Sequence, residues 1–440
     1  MRRQRRKLGP SEGRVLSRRE FLQYTAASIA GVTLAGTAQG ETRTVSDLAT
    51  LKDLLEHRAN PGDVILLQPG VYLLDVPRLS VRRSGTPERP ITLRGVIKDG
   101  QRPVLDGSKV NVQRGLLYFW PETHDWAVEN LELRHARGSG RPGAAFSNNA
   151  AAAYIQGSNI TFRNCYSHHN DNGWFSTHEA VNTILEGCET AYNGKPPGAA
   201  GNATHNHYVN SQSLIVRYCY IHHSIEGQNF KSRCAHAVLA YNWIEEDGGY
   251  SVEVASGNEH NTLWMGNVIV KRAAPGGQRR LLGVGDGTGV ARGTLTLINN
   301  TFVSTQPNDL FLFSHSSATT DLMLFNNIFC GPGRRLFDWN GSGRIEGANN
   351  FFLKGLEPPP GCVDSIVGDA PGFVNPEAGD FRLRADSPCK DAGVGSPRYR
   401  DREGRLVSIV PTHQPQRRRA GATPRIVAAQ LDIGAFEFSP

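Results

Sequence analysis

Eight stretches of this chain repeat one pattern: a few alternating apolar residues, then Asn or Cys, then more apolar or aromatic residues. They read AVENLEL (127–133), ITFRNCYS (160–167), ILEGCET (184–190), LIVRYCYI (214–221), LAYNWI (239–244), WMGNVIV (264–270), LTLINNTFV (295–303) and LMLFNNIFC (322–330), with a worn ninth copy, NNFF, at 349–352. The Asn or Cys falls at 130, 165, 188, 219, 242, 267, 300, 327 and 350, and several intervals are 23 to 27 residues. Alternation with period two makes each unit a strand. A repeat near this length marks a solenoid whose coils bury their faces only against one another. An amide at each turn can hydrogen-bond its equivalent one coil above, satisfying groups that burial would leave unpaired. The predicted fold is all-β, a right-handed parallel β-helix.

The flanks complete this picture. Val45 to Arg58 is amphipathic, with Leu48, Leu51, Leu54 and Leu55 on one side, and predicts a short helix capping the open end of the coil. Strand–turn–strand units punctuated by Pro-Gly and Asp-Gly follow at 61–72, 89–95 and 103–107. Residues 394–430 are rich in Arg and Pro and read as a solvated loop. The expected organisation is a targeting segment at 1–40, the capped β-helix at 41–393, and a loop with a closing strand at 394–440.

Charge changes the picture once. The net +7 is concentrated in residues 1–40, where eight Arg and Lys face only Glu12 and Glu20, leaving about +1 for the rest. Nothing in that balance calls for nucleic acid. Ser17-Arg18-Arg19-Glu20-Phe21-Leu22 before a mild apolar run resembles a twin-arginine export signal, which implies export to the periplasm or beyond. A basic amphipathic helix is the competing reading of the same segment. No apolar run is long enough to span a bilayer, and the mature chain is read as a monomer. Cys165, Cys188 and Cys219 occupy the repeat's internal position and predict a small apolar stack. Cys362 and Cys389 are the disulfide candidates of an oxidising compartment.

The segments NPGDVILLQPGVY, ERPITLRG and PVLDG resemble the opening of β-helical polysaccharide lyases, the chondroitinase B and alginate lyase group included. DFRLRADSPCKDAG (380–393) and LDIGAFEF (431–438) resemble the closing segment of bacterial β-helix proteins that act on polysaccharides. The resemblance implies a pectate lyase-like solenoid and an acidic polysaccharide as partner.

Candidate chemistry is densest at 204–233. Tyr208 lies 11 residues before Cys219 and Lys231 lies 11 before Asn242, so the two should be vertical neighbours, about 4.8 Å apart. The same offset before Cys188 gives Thr177. Alternation then puts Asn206, Tyr208 and Asn210 on one outward face with Asn229, Lys231 and Arg233, flanked by Glu179. Such a column suits β-elimination from a uronate, which needs a base, a donor for the leaving oxygen, and positive charge on the carboxylate. KSR at 231–233 is similar to the Lys-Ser motif of that lyase group, which implies Lys231 as catalytic base, with Tyr208 and Arg233 assisting. The chain departs from the group at Ala255, which stands where the group has an Arg.

Substrate-binding candidates are Asn206, Asn229, Thr177, Glu179, Glu226 and His205. The competing reading of Lys231 and Arg233 is a solvated, charged sheet edge. His168-His169 and His222-His223 read as turn groups capping the coil, and His207 as a satisfied buried histidine. No cofactor is demanded by the pattern. Asp247 and Glu253 could hold Ca²⁺ through carboxylate oxygens, although an acidic turn without metal fits equally. Gly283 to Gly289 lacks the Lys and helix of a phosphate loop. The paired aspartates of inverting β-helical hydrolases, which need carboxyls roughly 6.5–9.5 Å apart, are absent. Two alternatives to the lyase remain on the same scaffold: a non-catalytic polysaccharide-binding or envelope protein, and a glycosidase using Glu226, Glu253 or Glu179.

Overall fold

In the computed structural model the chain winds into the expected right-handed parallel β-helix. The structure describes residues 40–138, 150–195, 203–225, 227–246, 252–254, 259–272, 280–285, 290–305, 310–314, 317–332, 335–339 and 341–439. The expected export signal lies outside the described residues. Three long sheets form the walls: sheet A with 13 strands, sheet B with 12 and sheet C with 10. Each coil passes from C to A to B. One such coil is Asn172–Ser176, Val181–Glu186 and Glu189–Ala191, and the next begins at His207–Val209.

The repeat motif makes the corner between sheets A and B. Two residues turn it. The first adopts a left-handed backbone at Asn164, Tyr218, Tyr241, Asn299, Asn326 and Asn349, with φ between 48° and 60°, and is Gly at 187 and 266. Asn and Gly tolerate that region best. The second points inward: Asn242, Asn267, Asn300, Asn327 and Asn350 pass amide hydrogen bonds from coil to coil at 2.9–3.0 Å. Cys165, Cys188 and Cys219 continue this column as buried free thiols, the apolar stack that the sequence predicts. The first rung is displaced by one. Asn130 takes the left-handed position (φ 60°) and accepts from the Asn164 amide at 2.8 Å, while Leu131 fills the interior.

Apolar stacking repeats the same logic. Phe302, Phe329 and Phe352 lie ring over ring at 5.0 and 5.3 Å, each in register with the next. At the N-terminal end Leu48–Asp53 forms the expected capping helix and runs into a π-helical turn, Leu54–Arg58. The Asp47 carboxylate accepts from the Thr50 N–H, and Leu51, Leu54 and Leu55 are buried in the core.

Two expectations fail toward the C-terminus. Cys362 and Cys389 are both free thiols. The Arg-rich stretch is not simply solvated: Arg418 clamps Glu245 with two bonds of 3.0 Å, and fully buried Arg425 pairs with Glu437 at 2.7 Å. The cause is the outer face of sheet B, where Trp243, Val268, Ile328 and Phe351 need a cover. Phe373, Phe381, Ile433 and Phe436 supply it. The outward amides of Asn299, Asn326 and Asn349 grip the same tail through Asp432, Val394 and Ala392. Among the described residues, no helix is long and apolar enough to cross a membrane.

Candidate functional site

The strands His207–Val209 and Phe230–Ser232 are adjacent in sheet C. In each, the two ends are apolar, small or neutral and face inward: His207, Val209, Phe230 and Ser232 are all buried. The central residues, Tyr208 and Lys231, are only half-buried and face outward. They pair in register, and the Lys231 ammonium lies 5.8 Å from the centre of the Tyr208 ring. Arg233 follows two residues on, its N–H bonded to the Val209 carbonyl at 2.7 Å, and is likewise half-buried. The strand pairing thus puts Tyr208 and Lys231 on one face of neighbouring coils, with Arg233 one residue past the end of the Lys231 strand.

Below Tyr208 the column departs from expectation. Its partner is Phe175, not Thr177. Phe175 to Asn182 spans two more residues than Tyr208 to Ser213, although Asn182 and Ser213 occupy the same level of sheet A. A longer corner therefore absorbs the offset counted from the cysteines. Thr177 comes after the strand, where its hydroxyl binds the Glu179 carboxylate. Burial raises the Glu179 pKa, but that hydroxyl and neighbouring groups outweigh it and hold the carboxyl below its ordinary range. The column itself is aromatic. Phe175 meets Tyr208 edge-on at 5.2 Å, Tyr154 stacks on Phe175 at 4.7 Å, and Tyr118 meets Tyr154 at 5.4 Å. Tyr118 and Tyr154 stand in register with Tyr208, and with Phe175 they are buried in a small aromatic cluster against which Tyr208 packs.

Asn206 and Asn229 are not on the outward face. Both are fully buried in a second amide ladder, at the corner between sheets B and C. It runs Asn170 to Asn193 (2.9 Å), to Asn206 (2.8 Å), to Asn229 (2.6 Å), and ends on the Glu245 carbonyl (2.9 Å). Asn206 and Asn229 each precede their strand by one residue, so strand alternation does not reach them. His205 is buried behind Tyr208, with ring centres 5.2 Å apart. Its Nδ1 accepts the Gln228 N–H at 2.9 Å, so Nε2 carries the proton of the neutral ring. Burial, then the charges of Lys231 and Arg233, push its pKa down to about 3. It supports Tyr208 from behind. His207 is also buried and neutral, bonded through Nε2 to Thr190 at 3.1 Å.

Glu226 and Asp247 lie outside the described residues. Of Glu253 the backbone alone is described, one coil beyond Lys231 and in register with it. Among the described residues no three His, Cys, Asp or Glu side chains converge as metal ligands. Of the paired histidines, His169 and His223 are turn groups with left-handed backbones (φ 55° and 49°), whereas His168 and His222 end strands of sheet B and bond Glu132 and Glu189 at 3.0 and 3.3 Å. A mostly apolar pocket of about 90 Å³ opens elsewhere, on sheet A, between Ile184, Ile215, Val238 and Tyr399. It includes none of the residues singled out for chemistry, so the enclosed pocket and the candidate site do not coincide.

No family model matches the sequence, and no curated protein matches it. Among solved structures, the chain is similar to the crystal structure of pectate lyase Pel9A. The identity is 14%, the TM-score 0.57, and the likeness covers 92% of this chain and 98% of that one. An alginate lyase from Paenibacillus sp. str. FPU-7 (15% identity, TM-score 0.40, 63% and 99% covered) and a rhamnogalacturonan lyase (12%, 0.45, 74% and 84%) also match. At these identities the likeness is one of fold: a polysaccharide-lyase-like β-helix.

Proposed function

We propose that this protein is an exported enzyme that cleaves an acidic, uronate-containing polysaccharide by β-elimination on the outer face of sheet C. The observation that carries the reading is the in-register juxtaposition of Tyr208 and Lys231, with Arg233 two residues further along the chain. Lys231, once its ammonium has released a proton to solvent, takes the proton from the carbon next to the uronate carboxylate. The electron pair left behind forms a carbon–carbon double bond, and the glycosidic oxygen on the adjacent carbon departs. Tyr208 delivers a proton to that oxygen. Arg233 neutralises the carboxylate, on which negative charge accumulates as the proton leaves. Ala255, which stands where the resembled lyase group has an Arg, lies outside the described residues, and Arg233 would serve as that cation. His205, neutral and pinned by Gln228, keeps the wall behind Tyr208 free of a further positive charge.

The pectate lyase-like fold supports a carbohydrate-active role, and the basic Ser17–Leu22 segment supports export by the twin-arginine route. Incubation of the mature protein with pectate, alginate and glycosaminoglycans should raise the ultraviolet absorbance of the unsaturated product. Silence from every uronate polymer, with and without Ca²⁺, would remove the lyase reading. Reducing ends without absorbance would assign the scaffold to hydrolysis instead. Cell fractionation tests the export proposal.

A further inference from the structure

Four coils before Lys231, the same outward face of sheet C gathers positive charge on aromatic rings. Ser80, Tyr118, Tyr154, Phe175, Tyr208 and Lys231 pair in unbroken register, so Tyr118 stands four coil steps, about 19 Å, from Lys231. The Arg78 guanidinium lies 5.3 Å from the Tyr118 ring centre and 5.6 Å from that of Trp120. The Arg114 guanidinium lies 5.2 Å from the Tyr154 ring centre and donates to the Tyr154 hydroxyl at 3.1 Å. Arg82 covers the Trp120 ring at 3.9 Å, but Glu122 and Glu56 already hold it at 3.3 and 3.4 Å. Arg78 and Arg114 differ from it. Among the described residues neither has a carboxylate partner, and both reach solvent.

A second feature singles out Arg114. Its backbone is left-handed, with φ 77°, which costs a residue with a Cβ roughly 1 kcal/mol or more. Gly115 follows it at the start of the strand, and a side chain there would meet the Tyr154 backbone at 2.7 Å. The chain thus keeps an arginine where a glycine or asparagine would sit more easily, and its guanidinium lies over Tyr154. Guanidinium groups lying on rings keep their N–H edges for planar anions, and carboxylates are bound two N–H at a time.

From this geometry we infer that Arg78 and Arg114 form a remote anion subsite that binds uronate carboxylates of the same polysaccharide strand. The inference rests on the proposed reading of sheet C as the polysaccharide face. A pyranose unit in an extended chain advances by about one coil step, so a strand running along the column places its carboxylates over the arginines while another unit sits at Lys231. The site therefore selects acidic oligomers long enough to span both.

Calorimetric titration with oligogalacturonates and oligoalginates from disaccharide to octasaccharide tests this, comparing the full chain with Arg78→Gln, Arg114→Asn and Lys231→Ala. Asn suits the left-handed backbone, so Arg114→Asn removes the charge without adding strain, and unchanged thermal unfolding verifies that. Each arginine variant should weaken binding of the longer oligomers by about tenfold and leave the shortest unaffected, while Lys231→Ala still binds the longer ones. Cleavage by the parent chain with no change of affinity in the arginine variants overturns the subsite alone. Arginine-dependent binding without cleavage supports the subsite and removes the lyase reading. Absence of binding and cleavage in the parent chain overturns both.

Discussion

Asn206 donates its side-chain amide to Asn229 across 2.6 Å, and both side chains are fully buried. The densest polar cluster of the sequence therefore serves two masters: its amides hold the coils together, and its Tyr and Lys face the solvent. The distinction fixes what mutations should do. Asn229→Ala takes from the buried Glu245 carbonyl its amide donor and from the Asn206 amide one of its two acceptors, leaving it the His222 carbonyl, and should cost about 1–3 kcal/mol in denaturant unfolding. The affinity of the folded protein for an acidic polysaccharide should not change. A large loss of affinity at unchanged stability would return Asn229 to the binding face.

Lys231→Ala should lower the rate of β-elimination by about 10²–10⁴-fold, the span of a lost general base. Tyr208→Phe keeps the ring against Phe175 and removes the hydroxyl, so kcat should fall with little change in unfolding midpoint. The rate of product absorbance measures both. Full activity in Lys231→Ala would leave the column without its proposed base.

Gly227 lies against the support of the site. A Cβ there would meet His205 Nδ1 and the Thr204 carbonyl oxygen, each at 2.3 Å. Gly227→Ala must push the imidazole toward Tyr208, so activity should drop well before the fold is lost. Parallel measurement of kcat and circular dichroism checks this, and wild-type kcat would show that His205 does not set the Tyr208 position.

Stability should fall with acid earlier than carboxylates alone would dictate. Burial holds His205 and His207 neutral down to about pH 3 and His260 down to about pH 4. In the unfolded chain each takes up its proton near pH 6.5. Between these limits the unfolded state binds more protons, so stability is full above about pH 6.5 and declines below it. Each imidazole adds a slope of about 1.4 kcal/mol per pH unit. Denaturant midpoints at pH 7 and pH 5 test the sign, and equal midpoints would contradict neutral burial of these rings.

The C-terminal tail should depend on one ion pair. Glu437→Gln leaves the buried Arg425 charge without its carboxylate and should cost about 3–5 kcal/mol. Cleavage of the tail by a protease should then precede cleavage of the coils. Simultaneous loss of both would mean that the tail and helix unfold as one unit.

What the sequence determined by itself is the stacking. Its period-two strands and recurring Asn or Cys specify coils, corners and an interior ladder because those are local properties, repeated until they reinforce one another. The Tyr208–Lys231 pairing was legible for the same reason: both coils carry equal corners, so equal counts from the rung land at equal heights. The tertiary structure alone decided the rest. It put Phe175 where Thr177 was counted, because a corner two residues longer leaves no trace in the alternation. It turned Asn206 and Asn229 inward, because alternation ends with the strand and the amides beyond it obey the ladder. It drew Arg418 and Arg425 onto the body, because only the folded coil presents Glu245 and the bare apolar face that the tail must cover. Height along a solenoid is written in the chain, whereas the direction a side chain takes at a corner depends on neighbours that only folding brings near.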